Sequence, residues 1–97
     1  MKHVMLICNA GMSTGLLAKR IEQASKQTMK VYAYGEAEYP EHLEGIDVIL
    51  VGPQIRHLIS IIQEQVQVPV KAISPQAYGI LDGTSVYKDI QTILREE

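Results

Sequence analysis

Short, continuously apolar runs alternate along the chain with longer stretches in which apolar residues recur at helical spacing. Apolar runs of this kind are typical of strands buried on both faces of a parallel sheet. They predict four strands, near residues 3–7, 30–34, 47–51 and 68–73. Pro69 interrupts the last run, because proline cannot donate a hydrogen bond to a neighbouring strand.

Three of the stretches between and after these runs have the spacing of amphipathic helices. Their apolar faces consist of Leu17, Ile21 and Ala24; of Ile55, Leu58, Ile59 and Ile62; and of Val86, Ile90, Ile93 and Leu94. Ser13 and Thr14 are N-cap candidates for the first helix, and Asp82 and Thr84 for the last. Pro53 suits the first turn of the second helix.

The order β-α-β-β-α-β-α predicts a single α/β domain over residues 1–97. We expect a four-stranded parallel sheet with helices on both faces, doubly wound and flavodoxin-like or similar to low-molecular-weight phosphatases. Sites in such folds lie outside the carboxyl ends of the strands. The segments expected at that edge are Cys8–Gly15, Gly35–Glu38, Gly52–Ile55 and Ser74–Gly79. Residues 36–47 carry five carboxylates, and we expect an acidic, solvated loop there.

Composition narrows the classes of function. The formal net charge is −2, without the basic excess of a nucleic-acid-binding protein. No apolar run approaches the roughly 18 residues of a membrane span, so we expect no membrane insertion. The single cysteine cannot form an internal disulfide and favours a reducing, cytoplasmic location. With 46% hydrophobic residues the chain has enough apolar side chains for its own core. Because no apolar stripe is left for a dimer interface, we expect a monomer.

The stretch CNAGMSTG places that one cysteine directly after the first strand. Gly11 and the small residues beside it permit a tight turn whose backbone N–H groups point inward, and the following helix adds its positive end. The hydroxyls of Ser13 and Thr14 are further donors. Such a loop binds an anion and favours thiolate over thiol at Cys8. This combination suits a phosphoryl group carried on sulfur, although a lone cysteine is often only an apolar filler.

Other sites fit the sequence less well. No lysine follows the glycines as a nucleotide-binding P-loop requires, and neither a dinucleotide fingerprint nor a C-x-x-C pair is present. We therefore expect no cofactor. His3 and His42 have no partners at ligand spacing, so we expect no metal. His57, beside the apolar stripe of the second helix, is a candidate phosphohistidine or ligand, but a surface residue is favoured. Gln54 and Tyr78 fall in loops at the carboxyl edge, and both are candidates for the rim of the site or for partner contact.

Two other functions stay open at this point. A small cysteine-dependent phosphatase has a similar loop with the pattern C-x5-R, whose arginine stabilises the phosphoryl oxygens in the transition state. Position 14 of this chain is a threonine, which suits a carrier that hydrolyses slowly. A regulatory domain that only binds partners is the third possibility.

The segment CNAGMSTGLL resembles the phosphocysteine loop of IIB components of sugar phosphotransferase systems of the lactose/cellobiose (chitobiose) type. The segments DVILVGPQIRHLI and AYGILDGTSV are similar to later parts of the same family. The resemblance implies a cytoplasmic phosphotransferase with this parallel fold. It takes a phosphoryl group from a phosphohistidine of IIA onto Cys8 and passes it to the sugar held by the membrane protein IIC.

The resemblance also implies a phosphate-binding loop after Cys8. Its members are Asn9, Ala10, Gly11, Met12, Ser13, Thr14 and Gly15. Gly15 departs from the serine or other small residue of many relatives, but it keeps the backbone amide that the loop needs. An exposed Met12 would suit a surface that meets two different partners in turn.

Overall fold

The computed structural model describes the backbone at residues 1–8 and 11–95 and the side chains at 1–8 and 14–95. Within these residues the strands are β1 (Lys2–Cys8), β2 (Met29–Gly35), β3 (Val48–Val51) and β4 (Val70–Ala72). The α-helices are α1 (Gly11–Ala24), α2 (Ile59–Gln65), α3 (Pro75–Gly79) and α4 (Gly83–Arg95). Two 3-10 segments, Tyr39–His42 and Pro53–Leu58, follow β2 and β3.

The strands form one parallel sheet in the order β2-β1-β3-β4, which confirms the predicted fold class. Side chains of β1 alternate between two apolar cores, and all of them from Val4 to Ile7 are fully buried. Val4 and Leu6 pack on one face with α1 and α4, whereas Met5 and Ile7 pack on the other with α2 and both 3-10 segments. Helical elements therefore cover the sheet on both faces, as continuous apolar strands require.

The start of α1 and the segment SPQAYG differ from the sequence prediction. α1 begins at Gly11, so Ser13 and Thr14 both lie within its first turns and neither is an N-cap. The segment SPQAYG, predicted as a loop, forms α3. Pro75 occupies the first turn of α3, and the Ser74 hydroxyl accepts a 3.0 Å hydrogen bond from the Ala77 amide. Together these residues satisfy the start of a short helix.

The bounds of the fourth strand and of the second helix also differ from the sequence prediction. The fourth strand spans only Val70–Ala72, because Pro69 limits pairing on its amino-terminal side. The second helix is divided into the 3-10 segment and α2, with Ile55 at a non-helical φ of −123°. The last helix begins as predicted, and Asp82 is its cap: the carboxylate accepts a 3.0 Å hydrogen bond from the Ser85 amide. Thr84 lies inside α4.

The helices α1 and α4 cross at very short distance. A Cβ built on Gly83 would lie 2.5 Å from the backbone carbon of Arg20, so only glycine fits at this crossing. The Arg20 guanidinium also donates a 3.0 Å hydrogen bond to the Leu81 carbonyl, which fixes the turn before α4 against α1. Among the described helices, none has both the length and the apolar character needed to cross a membrane.

Candidate functional site

Cys8 lies at the topological switch point of the sheet, where the chain has added β2 on one side of β1 and next adds β3 on the other. It ends β1, a central strand whose neighbours β2 and β3 lie on opposite sides. On the β2 side Cys8 is paired with Gly35. On the β3 side the Gly52 amide donates a 2.8 Å hydrogen bond to the Ile7 carbonyl, which brings Gly52 beside Cys8. Switch points of this kind form the crevice in which doubly wound folds bind ligands.

The two sheet neighbours of Cys8 are both glycines, and Gly52 is essential to the position of the thiol. A Cβ built on Gly52 would lie 2.9 Å from the Cys8 sulfur and 3.5 Å from its Cβ. The sulfur therefore occupies the space that any other residue at position 52 would fill. The sequence predicted Gly52 as the end of a strand and as part of the segment Gly52–Ile55 at the carboxyl edge, but not as the neighbour of Cys8. Aligning the carboxyl ends of the apolar runs of β1 and β3 would have placed it opposite Cys8.

A tyrosine hydroxyl lies beside the thiol and links it to α1. Tyr78 comes from α3 and Thr14 from α1, and the Tyr78 hydroxyl is within hydrogen-bonding reach of both Thr14 and the Cys8 sulfur. Burial raises the pKa of Tyr78 above its ordinary value of 10.0, the Thr14 hydrogen bond lowers it, and Cys8 raises it again. The phenol is therefore protonated at neutral pH, which makes it a hydrogen-bond donor to a sulfur or to a phosphoryl oxygen beside it.

Burial alone does not separate a reactive cysteine from a structural one. The residue Cys8 is 1% exposed and Thr14 is 2% exposed. An apolar filler would be surrounded by hydrocarbon, as Met5 and Ile7 are in the core below. Cys8 instead has the Tyr78 hydroxyl beside it, and that hydroxyl also hydrogen-bonds Thr14. The sulfur therefore lies at the carboxyl edge of the sheet with a polar group beside it.

The other residues predicted for the site fall into three groups. Gln54 is exposed, and its Oε1 is 3.5 Å from the position of a Cβ built on Gly52, so it borders the thiol. Gly11 and Gly15 lie at the start of α1, and the space beside Gly15 is open. Asn9 and Ala10, and the side chains of Met12 and Ser13, lie outside the described residues.

The histidines take no part in this site. His57 is exposed in the second 3-10 segment. His3 and His42 belong to a row of rings on the face of the sheet that carries Met5 and Ile7. Within the described part of the chain, no three acidic, histidine or cysteine side chains converge in a way that would hold a metal ion.

The sequence matches one protein family over most of its length. A family model described as "PTS system, Lactose/Cellobiose specific IIB subunit" matches residues 3–89. The oligo-beta-mannoside-specific EIIB component of Bacillus subtilis (strain 168) is 30% identical over 100 residues, which cover 97% of each chain. The cellobiose-specific EIIB component of Lactococcus lactis subsp. lactis (strain IL1403) is 29% identical over 104 residues, 96% of each chain.

Solved structures agree with this match. A cellobiose-specific IIB component from Borrelia burgdorferi superposes with a TM-score of 0.78 at 27% identity, covering 98% of this chain and 93% of that one. A lactose-specific IIB domain from Streptococcus pneumoniae gives a TM-score of 0.82 over 95% of this chain and 96% of that one. Because the two sequences are only 14% identical, this superposition supports a common fold and no more.

Proposed function

The chain belongs to the lactose/cellobiose-specific IIB subunits of sugar phosphotransferase systems, and on this premise we propose that Cys8 is its phosphoryl carrier. IIB components act as phosphotransferases in sugar uptake and work with IIA and IIC partners. The observation that carries the proposal is the position of Cys8, at the switch point of the sheet with the Tyr78 hydroxyl beside it. A buried filler would require neither.

In the proposed first step the Cys8 thiolate attacks the phosphorus of a phosphohistidine on IIA. An S–P bond forms, the P–N bond breaks, and the histidine leaves with the electron pair and takes up a proton. The start of α1 follows Cys8 in the chain, and because the N-terminus of a helix stabilises anions, its backbone amides bind the incoming phosphoryl group in this proposal. The Tyr78 hydroxyl donates to a phosphoryl oxygen and positions the group; it is not itself consumed.

In the second step a hydroxyl of the sugar that is bound to IIC attacks the same phosphorus. The S–P bond breaks, the thiolate leaves, and the hydroxyl proton passes to solvent or to a base on IIC. A good carrier must not lose its phosphoryl group to water in between. Thr14 occupies the position at which the C-x5-R phosphatases place an arginine, so the cation that would stabilise hydrolysis is not supplied there.

The remaining features of the proposal follow from this cycle. The chain acts on the cytoplasmic side of the membrane as a monomer, with Gln54 and Tyr78 in the rim that contacts IIA and IIC in turn. Transient complexes of this kind bury modest areas. Three EIIB relatives that are 29–30% identical to this chain are named as specific for oligo-beta-mannosides, galactose and cellobiose. Because these sugars differ, we assign no sugar beyond the class taken by lactose/cellobiose-type systems.

A mass measurement tests the proposal. The chain is incubated with a phosphorylated IIA component of a lactose/cellobiose-type system, and its intact mass is followed with time. We expect a gain of one phosphoryl group in the native chain and none in a folded Cys8→Ser variant. Steady release of phosphate from aryl phosphates would indicate the hydrolase instead. Absence of both reactions, with binding to IIA retained, would indicate a domain that only binds its partners.

A further inference from the structure

A groove on the face of the sheet is lined by none of the residues used in the proposed phosphoryl cycle. It has a volume of about 400 Å³, and we call it the aromatic–acidic groove. The side chains that define it are His3, Tyr32, Tyr34, Glu41, His42 and Glu44. It lies on the same face as Met5 and Ile7, over the edge strand β2 and beside the first 3-10 segment, which supplies Glu41 and His42. Tyr34 packs against the core of this face.

Four rings form one continuous stacked row along this groove. Tyr32 and Tyr34 are two residues apart and lie on the same face of β2, with ring centroids 6.4 Å apart and ring planes inclined by 6°. His42 stacks on Tyr34 at 4.1 Å, and His3 on Tyr32 at 5.9 Å. A 3.1 Å hydrogen bond joins the His3 ring nitrogen to the Tyr32 hydroxyl, so the row is held in place at its His3 end. None of the four rings is fully buried.

The charges at the groove have one sign. Glu41 and Glu44 line it and are exposed. No lysine or arginine is among its described lining residues. Lys30, on the same strand as the two tyrosines, is turned toward Glu22, with 3.9 Å between their charged atoms. Among its described lining residues the groove therefore offers carboxylates and ring faces together, with no lysine or arginine to neutralise them.

We propose that the aromatic–acidic groove binds an arginine side chain presented by an exposed segment of another protein. A guanidinium is planar, stacks on aromatic faces and pairs with carboxylates, so it uses both features of the groove at once. A phosphate or sugar phosphate is disfavoured by Glu41 and Glu44. A volume of about 400 Å³ is at the small end of ligand sites, about 300–1,000 Å³, and suits a single long side chain.

Binding along the edge of β2 by an added strand fits the structure less well. Side chains of this chain already occupy outward-facing amides of β2: the Val31 amide donates to Glu22 at 2.8 Å and the Met29 amide to Ser25 at 3.2 Å. The Gly35 amide likewise donates to Glu38. A partner is therefore expected to use side chains on the sheet face rather than backbone pairing at its edge.

The test uses the full chain and two peptides that differ in one group. The probe is acetyl-Gly-Gly-Arg-Gly-Gly-amide, and its control carries citrulline, which keeps the shape of arginine but is neutral. Binding is followed by NMR shifts of the Tyr32 and Tyr34 rings and of the Ile46 amide. We expect saturable shifts with the arginine peptide and at least about threefold weaker binding of the citrulline peptide.

Paired variants separate charge from stacking. Glu41→Gln/Glu44→Gln should weaken arginine binding about three- to tenfold, while Glu64→Gln/Asp89→Asn, an equal change of charge at exposed positions elsewhere, leaves it unchanged. Tyr34→Leu should weaken it about two- to fivefold, and Tyr34→Phe should retain it because the ring face is kept.

Three results would overturn the proposal. Equal binding of both peptides would mean that the guanidinium charge is not recognised. An equal loss in Glu64→Gln/Asp89→Asn would reduce the effect to net charge. Saturable shifts with cellobiose and none with the arginine peptide would assign the groove to neutral sugars. None of these outcomes depends on whether Cys8 carries a phosphoryl group, because no phosphoryl donor is present.

Discussion

Replacing Gly52 with alanine tests whether the position of the Cys8 sulfur sets the rate of phosphoryl transfer. The new methyl carbon would lie 2.9 Å from that sulfur. Ordinary contacts between such atoms begin at about 3.5 Å, so the thiol, or the backbone after β3, must move by about 0.6 Å or more. The sulfur is the end of a short side chain in a packed site, and its rotation is the cheapest response.

The displacement has different consequences for folding and for transfer. Overpacking of this size costs about 1–3 kcal/mol of unfolding free energy, which a domain of ordinary stability tolerates. Transfer needs the sulfur and the phosphorus at about 3–3.5 Å in line, and a misplacement of about 1 Å can cost about a hundredfold in rate. We therefore expect Gly52→Ala to remain folded and to accept the phosphoryl group about ten- to a hundredfold more slowly.

The assay is a rapid-quench time course of intact mass with a phosphorylated IIA component, beside urea unfolding of the same samples. Gly79→Ala is the matched control, because it adds the same methyl group at the same edge of the sheet but meets nothing within 4 Å. It should transfer at the native rate. Native-rate phosphorylation of Gly52→Ala, with the fold intact, would refute the argument that the glycine sets the position of the thiol.

Two further predictions concern stability. Gly83→Ala should lower the free energy of unfolding by about 1–3 kcal/mol or more, because its methyl group would meet the Arg20 backbone at 2.5 Å. Gly15→Ala adds a methyl group in open space within a helix, so it should be neutral or stabilising by up to about 1 kcal/mol. Urea unfolding of the two variants compares them. Because the pKa of Tyr78 is raised in the folded chain, the native state holds the phenolic proton to higher pH than the unfolded chain does. The free energy of unfolding should therefore fall as pH rises above about 10. This fall should be absent from the Tyr78→Phe variant.

Each of these stability predictions has its own contradicting result. Equal midpoints for Gly83→Ala and Gly15→Ala would mean that α1 and α4 separate without cost. Parallel stability curves of the native chain and Tyr78→Phe between pH 9 and 11 would show that the phenol titrates alike in the folded and unfolded states.

The layout of the sheet could be predicted from the sequence because its signal is local. Apolar runs such as Val4–Ile7 and Val48–Val51 are buried on both faces, and such runs leave little choice but a covered parallel sheet. Short elements were harder to predict. The helix α3 depends on one serine cap and one proline, and Ile55 leaves the helical region although its spacing is helical. In both places a few local hydrogen bonds outweigh periodicity.

The candidate site was predictable only in part, because contacts across strands are not local. The small-residue stretch after Cys8 is visible in the sequence, and so is the position of Tyr78 at the carboxyl edge. The fit of Gly52 against the sulfur depends on the register of β1 and β3. The ring row of the aromatic–acidic groove likewise needs His42 to fold back onto Tyr34, which no spacing rule predicts.

The central claim is that Cys8 accepts the phosphoryl group, and locating that group tests it most directly. Trypsin cleavage after Lys2 and Lys19 gives a peptide of residues 3–19, which also contains the competing acceptors His3, Ser13 and Thr14. Fragmentation of this peptide after incubation with a phosphorylated IIA component should place one phosphoryl group on the Cys8 sulfur. A phosphoryl group found on another of these residues, or full labelling of a folded Cys8→Ser chain, would contradict the account.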